Sequence, residues 1–354
     1  MYTPKYIIIT DILKNIGQIE AAREVIENAP LVPMWEAKFR DDARLRAVHY
    51  GTALEGNDLS LGEAKIILER EVETPAEAAA EGVAARERDV QEVINYRKVL
   101  EYLEKSGVNA YTREELWEIH RLVVDKIVPA EQVGKYRQVQ VVLRNSVTGE
   151  VGFRPPLAME VPYLMDDFFR YINSELGGRE HPILRAGVAH YVVAAVHPFT
   201  EGNGRTARAF ATLMLHREGY DIRRFFSLEE YYDKDAVSYY ENLQKASAGE
   251  LTTWLEYFTN GAAIEFEKIK EKILKLSKDV KMKERFGGQQ IYLTERQMKL
   301  IEYLTDTGFI QNQMFVTVFP DVSEDTVLRD LQDLIKKGLI KKVGSTKAAR
   351  YAMI

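Results

Sequence analysis

The sequence of 354 residues contains no cysteine. This absence excludes disulfides, thiolate metal sites and a cysteine nucleophile, and it suits a reducing compartment. No apolar run reaches the ~18 residues that a membrane-spanning helix needs. The apolar run near the N-terminus is too short for a secretory signal. Together these features favour a cytoplasmic protein.

An excess of positive charge is also missing, because the formal net charge is −6. Non-specific binding of nucleic acid by the whole chain is therefore not favoured, although a local basic patch remains compatible with this total. Hydrophobic residues make up 46% and charged residues 29% of the chain, which is usual for a globular protein. The length allows two or three domains with ordinary cores.

Helical periodicity dominates the sequence and predicts a mainly α fold. We expect helices at residues 9–28, 35–54, 88–105, 113–127, 158–176, 183–196, 204–217, 228–247 and 251–280. Residues 74–86 have the composition of a linker. The segment 183–196 is apolar on nearly every face, so this helix should be buried.

Two short regions depart from the helical pattern. Residues 139–143 and 149–156 are rich in strand-forming residues and flank the polar segment 144–148, which predicts a β-hairpin. Beyond residue 286, three expected helices are followed by a basic segment with two short strands, an order typical of a winged helix-turn-helix. The predicted helices lie at residues 294–305, 311–318 and 323–337.

One segment, His197–Arg208 (HPFTEGNGRTAR), combines several groups suited to phosphate chemistry. Glycines at a helix start let backbone N–H groups surround an anion, which the helix dipole also attracts. Arg205 and Arg208 share one face of the helix and could bind a polyphosphate. Glu201 is suited to a Mg²⁺ ion beside those phosphates, and a neutral His197 could accept a proton from a hydroxyl.

Each group also has an ordinary structural interpretation: a turn, a hydrogen-bonded histidine, a solvated arginine pair. Their combination within twelve residues favours the catalytic interpretation. The segment resembles the signature of Fic proteins, HPFx(D/E)GNGRxxR, at every fixed position. The resemblance covers about residues 35–262 and implies a Fic-type helical core with a β-hairpin flap. It predicts four parts: an N-terminal helical region with an inhibitory helix (1–90), a Fic catalytic core (91–262), a helical linker (263–290) and a winged helix (291–354).

The resemblance also implies roles for individual residues. His197 would deprotonate a hydroxyl of a protein, which then attacks the α-phosphorus of ATP, and Glu201 would bind Mg²⁺ between the α- and β-phosphates. The implied phosphate-binding residues are Gly202, Asn203, Gly204, Arg205, Thr206 and Arg208, with Arg208 on the γ-phosphate. Tyr239 and Tyr240 are candidates for the adenine pocket, with core packing as the alternative.

Two further features follow from the same resemblance. The hairpin looks like the family's flap, so residues 149–156 would bind an extended segment of the target protein by main-chain pairing. The sequence Glu55-Gly56-Asn57 is similar to the end of an inhibitory helix, whose glutamate would pair with Arg208 and block productive γ-phosphate binding. The family pattern has serine or threonine four residues before this glutamate, where the present sequence has Gly51 and then Thr52.

The sequence therefore predicts a protein adenylyltransferase that uses ATP and Mg²⁺ and is inhibited by Glu55. Removal of AMP, transfer of another phosphate-linked group, and a nucleotide-sensing DNA-binding regulator are the alternatives. Residues 334–354 hold six basic and no acidic residues, but four carboxylates lie on the preceding helix. For this reason a protein partner or a homodimer is favoured slightly over DNA binding by residues 291–354.

Overall fold

The computed structural model describes residues 2–29, 33–107, 110–144, 151–221, 224–247, 249–285, 293–320, 322–344 and 349–354. The chain divides into two compact units, residues 1–272 and residues 273–354. The expectation of a mainly helical fold with one small hairpin in each unit is confirmed. None of the described helices is both long enough and apolar enough to cross a membrane.

The first unit contains twelve helices that lie wholly within its described residues. They are α1 (Thr10–Asn28), α2 (Pro33–Ala53), α3 (Leu61–Glu69), α4 (Pro75–Ala80), α5 (Glu87–Lys105), α6 (Arg113–Val123), α7 (Val161–Ile172), α8 (Glu175–Gly178), α9 (Pro182–Val196), α10 (Asn203–Arg217), α11 (Glu229–Lys234) and α12 (Ala236–Ala246). Helix α13 (Thr252–Arg285) begins in this unit. Strands β1 (Leu143–Arg144) and β2 (Val151–Phe153) pair antiparallel, and 3₁₀ turns occupy Ala130–Gln132 and Ala158–Glu160.

The second unit has the order expected of a winged helix. Helix α14 (Glu295–Thr307), a 3₁₀ turn (Asn312–Met314) with the short α15 (Phe315–Val318), and α16 (Glu324–Lys336) precede the antiparallel pair β3 (Ile340–Val343) and β4 (Arg350–Met353). The apolar faces of α14, α15 and α16 meet in one core around Leu300, Leu304 and Leu331.

Several predicted boundaries were wrong for local reasons. The expected linker 74–86 contains helix α4, because the Thr74 side chain accepts a hydrogen bond from the Glu77 N–H and Pro75 fits the first helical turn. The helix expected at 228–247 is two helices, α11 and α12. The chain leaves helical geometry at Asp235, whose carboxylate caps α12 by accepting from the Ser238 N–H.

Other segments are shorter than expected. The helix predicted at 158–176 is divided into a 3₁₀ turn, α7 and α8, because the Ser174 side chain caps a new helix. The helix predicted at 113–127 ends at Val123. The hairpin strands are β1 and β2 only, and the turn predicted around residues 145–148 lies outside the described residues. Strand pairing ends early because Pro155 and Pro156 cannot donate ladder hydrogen bonds.

Helix α9 forms the centre of the first unit, as its apolar sequence predicts. Val188, Ala189 and Val193 are fully buried, and α9 packs along α10 and against α7 and α12. Gly187 allows α13 to pack closely against α9, since an added Cβ would lie 2.9 Å from Leu255 Cδ2. The Trp254 indole N–H donates to the Gly187 carbonyl at 2.8 Å. A rigid, buried α9 fixes the start of the loop that follows it.

Candidate active site

His197 lies where α9 ends, in a backbone conformation that few non-glycine residues adopt. Its φ is 51°, in the left-handed region, which turns the chain away from the helix axis. Its Nδ1 lies 3.2 Å from the Ala194 carbonyl oxygen. A ring that donates from Nδ1 keeps a lone pair on Nε2. Burial lowers the pKa of His197 below its ordinary value of 6.5, so the neutral ring prevails at pH 7.

Asn203 closes the loop between α9 and α10. Its side-chain oxygen accepts from the Phe199 N–H at 2.8 Å, and its amide donates to the Phe199 carbonyl at 2.9 Å. The side chain, which is 2% exposed, is thereby used within the loop. Asn203 thus shapes the loop, and its backbone N–H lies in the first turn of α10, where N–H groups have no intrahelical acceptor.

Gly202 needs to be glycine for two independent reasons. Its φ is 76°, where side chains are disfavoured, and an added Cβ would lie 2.7 Å from Val124 Cγ1. Gly202 immediately precedes α10, so the first N–H groups of that helix have no intrahelical acceptor. The positive end of the α10 dipole therefore faces the loop.

A carboxylate from a distant part of the chain enters this site. Glu55 follows the end of α2, and its Oε1 lies 2.9 Å from Nη1 of Arg208. An added Cβ on Gly204 would collide with the same Oε1, so the carboxylate lies directly on the glycine at the start of α10. Burial alone would raise the pKa of Glu55, but Arg208 and Arg205 hold that pKa below its ordinary value. Glu55 therefore occupies the anion-binding place as a charged group.

Both arginines of the motif keep donors free of hydrogen bonds. Arg208, 2% exposed, donates from Nη2 to the Gly51 carbonyl at 2.8 Å. Its Nε and Nη1 form no hydrogen bond within the described chain, so its contact with Glu55 is an ion pair. Arg205 forms an ion pair with Glu92, whose carboxylate lies 3.2 Å from Nη1. Neither Nε nor Nη1 of Arg205 forms a hydrogen bond within the described residues. Buried guanidinium donors without acceptors fit an anion with several oxygens.

Glu201 is held in place at both its backbone and its carboxylate. Its carbonyl oxygen lies 3.1 Å from Nε2 of His120, whose Nδ1 accepts from the Gly134 N–H at 3.0 Å. The second contact assigns the proton to Nε2, so His120 donates to Glu201. The Glu201 carboxylate, 35% exposed, forms an ion pair with Arg88 of α5.

His120, Arg88 and Glu92 contact the motif but were not predicted from the sequence. His120 stacks on Phe199 with ring centroids 3.7 Å apart, and burial lowers its pKa to about 4. On α6 it is one polar residue at helical spacing among apolar ones, so nothing marks it as a contact of the motif. The spacing of Arg88 and Glu92 indicates an ion pair on one helix face, and their contacts to the motif appear only in three dimensions.

The two tyrosine candidates lie in different environments. Tyr239 is 1% exposed, and its hydroxyl lies 3.2 Å from Nε2 of the buried His190. It packs between Tyr232 and Trp254, in the way that the core-packing alternative describes. Tyr240 is 46% exposed, and its hydroxyl donates to the Leu54 carbonyl, next to Glu55, at 3.1 Å.

The end of α2 also explains why position 51 is glycine, where the family pattern has serine or threonine. An added Cβ on Gly51 would lie 2.8 Å from Cε1 of the Tyr96 ring. The neighbouring Thr52 donates back to the Val48 and His49 carbonyls at 3.0 Å each and is 1% exposed. Thr52 therefore ties its own helix end, and Gly51 provides both the close helix contact and the carbonyl that Arg208 binds.

With this geometry established, comparisons with known proteins show where the segment belongs. Residues 110–215 match the family model described as "Fic/DOC family". The chain contains a Fic/DOC domain. Residues 296–345 match a second model, "DeoR-like helix-turn-helix domain", which agrees with the second unit.

Curated relatives carry names that agree with the Fic/DOC domain. "Protein adenylyltransferase Fic" of Culex quinquefasciatus is 26% identical over 250 residues, which cover 70% of this chain and 46% of the relative. "Protein adenylyltransferase fic-1" of Caenorhabditis briggsae is 33% identical over 217 residues, 59% of this chain and 38% of the relative. The chain thus spans less than half the length of these two relatives.

Solved structures share the fold. A Fic family protein from Desulfovibrio desulfuricans G20 matches with a TM-score of 0.66 and 21% identity, covering 100% of this chain and 98% of that one. Fic-1 from C. elegans matches with a TM-score of 0.59 and 24% identity, covering 75% of this chain and 73% of that one. At these identities the likeness concerns the fold.

Proposed function

We propose that this chain transfers AMP from ATP to a hydroxyl group of a protein. The observation that carries the proposal is the buried anion site at the start of α10, where Arg205 and Arg208 keep donors without hydrogen-bond acceptors beside a neutral His197. The names of the curated relatives support adenylyl transfer as the reaction.

His197 would act as the general base. Its unprotonated Nε2 would accept the proton of the attacking hydroxyl as that oxygen bonds to the α-phosphorus of ATP. The bond from the α-phosphorus to the bridging oxygen breaks, and pyrophosphate leaves. Burial keeps the pKa of His197 below 6.5, so the base is available at neutral pH without prior deprotonation.

The start of α10 would bind the triphosphate. Backbone N–H groups near Gly202 and Gly204 together with the helix dipole suit its oxygens. Arg205 and Arg208 would neutralise its charge, and Arg208 would contact the terminal phosphate, where the Glu55 carboxylate now lies. Tyr240 is the tyrosine that we retain for the adenine pocket, since its ring is partly exposed.

Glu201 fits a Mg²⁺ site that is completed by the substrate. Mg²⁺ commonly takes one or two carboxylates and fills its other positions with phosphate oxygens and water. No group of three or more acidic or histidine side chains that could hold a metal by itself occurs among the described residues. When bound, the ion would neutralise phosphate charge during the transfer.

Glu55 would inhibit the reaction by occupying the place of the terminal phosphate. The carboxylate lies on Gly204 and pairs with Arg208, so a triphosphate can bind productively only after Glu55 leaves. Arg208 is fully buried, and its charge is therefore weakly screened by solvent.

The same site could remove AMP or transfer a related group, and product analysis separates these reactions.

The test follows label from [α-³²P]ATP and Mg²⁺ onto protein in a cell lysate. We compare wild type, Glu55→Gly, and Glu55→Gly combined with His197→Ala. We expect AMP on protein with Glu55→Gly and at least a ~10²-fold loss on adding His197→Ala. Equal labelling with and without His197 would refute its role as base. If no variant transfers the α-label, while ATP labelled at another position does transfer its label, the transferred group is not AMP.

A second candidate function concerns residues 293–354, which we propose bind duplex DNA. The favouring observation is the position of two carboxylates that the sequence placed on the recognition helix. Asp330 is 7% exposed and pairs with Arg296 of α14, and Asp333 lies 2.6 Å from Nζ of Lys337. Both carboxylates are paired with basic side chains, and Asp330 is buried, so the objection raised by the sequence is weakened.

The outward face of α16 then presents Arg329, Gln332 and Lys336, and β3 adds exposed Lys341 and Lys342. This combination supplies one helix for a groove and a basic hairpin for phosphates. Glu324 and Asp325 remain exposed in the first turn of α16 and limit the affinity.

Fluorescence anisotropy with labelled genomic duplexes tests this candidate on the full chain. We expect binding that weakens with salt, and a reduced salt slope for the double variant Lys341→Ala/Lys342→Ala. Lys299→Ala serves as the matched control, because Lys299 is an exposed lysine of α14 that lies over the Phe319 ring. Binding that none of these changes alters, or no binding at low salt, would favour the protein partner or homodimer predicted from the sequence.

A further inference from the structure

Arg137 occupies an unusual position for a buried cation. It is 3% exposed, and its hydrogen-bond acceptors among the described residues are all backbone carbonyls. Ionised side chains are costly to bury unless such acceptors are supplied. A lysine has three donors on a single nitrogen, whereas the guanidinium spreads five donors over three nitrogens and so suits four separate carbonyls.

The acceptors belong to two different parts of the chain. Nε donates to the His197 carbonyl at 2.8 Å, and Nη2 reaches the preceding carbonyl, of Val196, at 3.4 Å. Nη1 donates to the Val139 carbonyl at 3.2 Å, and Nη2 to the Pro156 carbonyl at 2.6 Å. Val139 lies before β1 and Pro156 after β2, so these two carbonyls flank the β1–β2 hairpin.

The backbone N–H of Arg137 adds a further link, because it donates to the Pro198 carbonyl at 2.8 Å. The peptide groups on both sides of His197 are thereby tied to one residue. His197 holds a left-handed conformation that is strained for a non-glycine residue and persists only where surrounding contacts enforce it. The contacts that enforce it on the hairpin side come from Arg137.

We propose that Arg137 is a positioning residue that couples the hairpin to His197, so that binding of a target segment along the hairpin aligns the base. The kinetic part of this proposal rests on the proposed function. The structural part does not rest on that function, since it concerns whether Arg137 holds both the hairpin and the segment around His197. Displacing a reacting group by about 1 Å can cost about 10²-fold in rate.

Three variants separate positioning from general stability. Arg137→Met keeps the length and apolar stem but loses the donors, and Arg137→Lys keeps the charge. Arg185→Met is the matched control, because Arg185 is also buried, at 7% exposed, and pairs with Glu218 and the Gly177 carbonyl away from the hairpin. Thermal unfolding reports the stability lost in each variant.

The first readout is amide hydrogen exchange, which needs no activity. We expect Arg137→Met to speed exchange at least ~10-fold in peptides covering both 151–157 and 193–199, with Arg137→Lys intermediate and Arg185→Met unchanged there. Faster exchange in only one of the two segments, or the same pattern in Arg185→Met, would overturn the coupling.

The second readout is AMP transfer in the Glu55→Gly background. We expect Arg137→Met to lower kcat about 10²-fold with KM for ATP within about twofold, because the triphosphate site is untouched. Partial recovery in Arg137→Lys supports the proposal, and an unchanged kcat refutes it. If the parent transfers no AMP, the proposed function fails, and the exchange result alone decides on Arg137.

Discussion

The contact between Glu55 and Arg208 yields the prediction with the best-defined magnitude. We expect Glu55→Gly to raise the rate of AMP transfer, because the carboxylate that lies on Gly204 is removed. Exposed ion pairs contribute up to about 1 kcal/mol and breaking a buried one costs about 3–5 kcal/mol, so a pair between the buried Arg208 and a Glu55 side chain that is 29% exposed should be worth about 1.5–3 kcal/mol. At about 1.4 kcal/mol for each factor of ten, the expected gain is about 10- to 150-fold.

The isosteric variant Glu55→Gln refines this expectation. Glutamine keeps the shape that fills the anion site but loses the charge, so its rate should lie between wild type and Glu55→Gly. Glu71→Gly is the matched control: Glu71 is exposed and has a φ of 50°, which glycine adopts readily. We expect it to behave as wild type.

The assay measures initial rates of label transfer at several ATP concentrations. If ATP also binds non-productively while Glu55 holds Arg208, the difference between variants should persist at saturating ATP. If Glu55 only excludes ATP, the difference should shrink as the ATP concentration rises. Rates for Glu55→Gly and Glu55→Gln that match wild type would refute the inhibitory role. A rise in Glu71→Gly as large as in Glu55→Gly would show a general loosening instead.

Three further changes test the packing around the site by urea unfolding. Gly51→Ser, which restores the family residue, should destabilise the fold by about 1–3 kcal/mol, since its Cβ would lie 2.8 Å from Tyr96 Cε1; unchanged stability would show that the Tyr96 ring moves aside. Asn203→Ala should cost about 1–3 kcal/mol by leaving the buried Phe199 peptide groups unpaired; a smaller loss would mean that water replaces the side chain. His120 has a pKa of about 4 in the fold against 6.5 ordinarily, so the unfolded chain takes up the proton first and stability falls by about 3 kcal/mol as pH decreases from 6.5 to 4; His120→Asn should remove that part of the slope, and an unaltered slope would contradict it.

The sequence predicted much of the helical architecture because most helices carry periodic apolar faces. It failed where single side chains decide a boundary, as Thr74 does for α4 and Asp235 does between α11 and α12. Capping by one side chain leaves little trace in the apolar periodicity that the prediction used. The hairpin was overextended for a similar reason: β-branched residues favour strands, but pairing needs donors that Pro155 and Pro156 lack.

For the site, the contiguous residues from His197 to Arg208 could be found from sequence, whereas their partners could not. The partner of Arg208 was predicted only because Glu55 lies in a recognisable helix end. Arg137 and His120 act on backbone carbonyls, and any residue supplies a carbonyl, so no pattern of residue types encodes those contacts. Tyr239 shows a related ambiguity, since an aromatic residue at helical spacing serves a core as well as a pocket, and its ring is buried.

Glu92 links the segment that carries Glu55 to α10 without involving the Glu55 carboxylate. The Glu92 carboxylate lies 3.1 Å from Nδ2 of Asn57, two residues after Glu55, and 3.2 Å from Nη1 of Arg205, one helical turn before Arg208. The distance between the Glu55 segment and α10 is therefore fixed by α5, through a carboxylate that is 5% exposed. Because this link does not include Glu55, loss of the Glu55 carboxylate should free Arg208 while the surrounding helices stay in place.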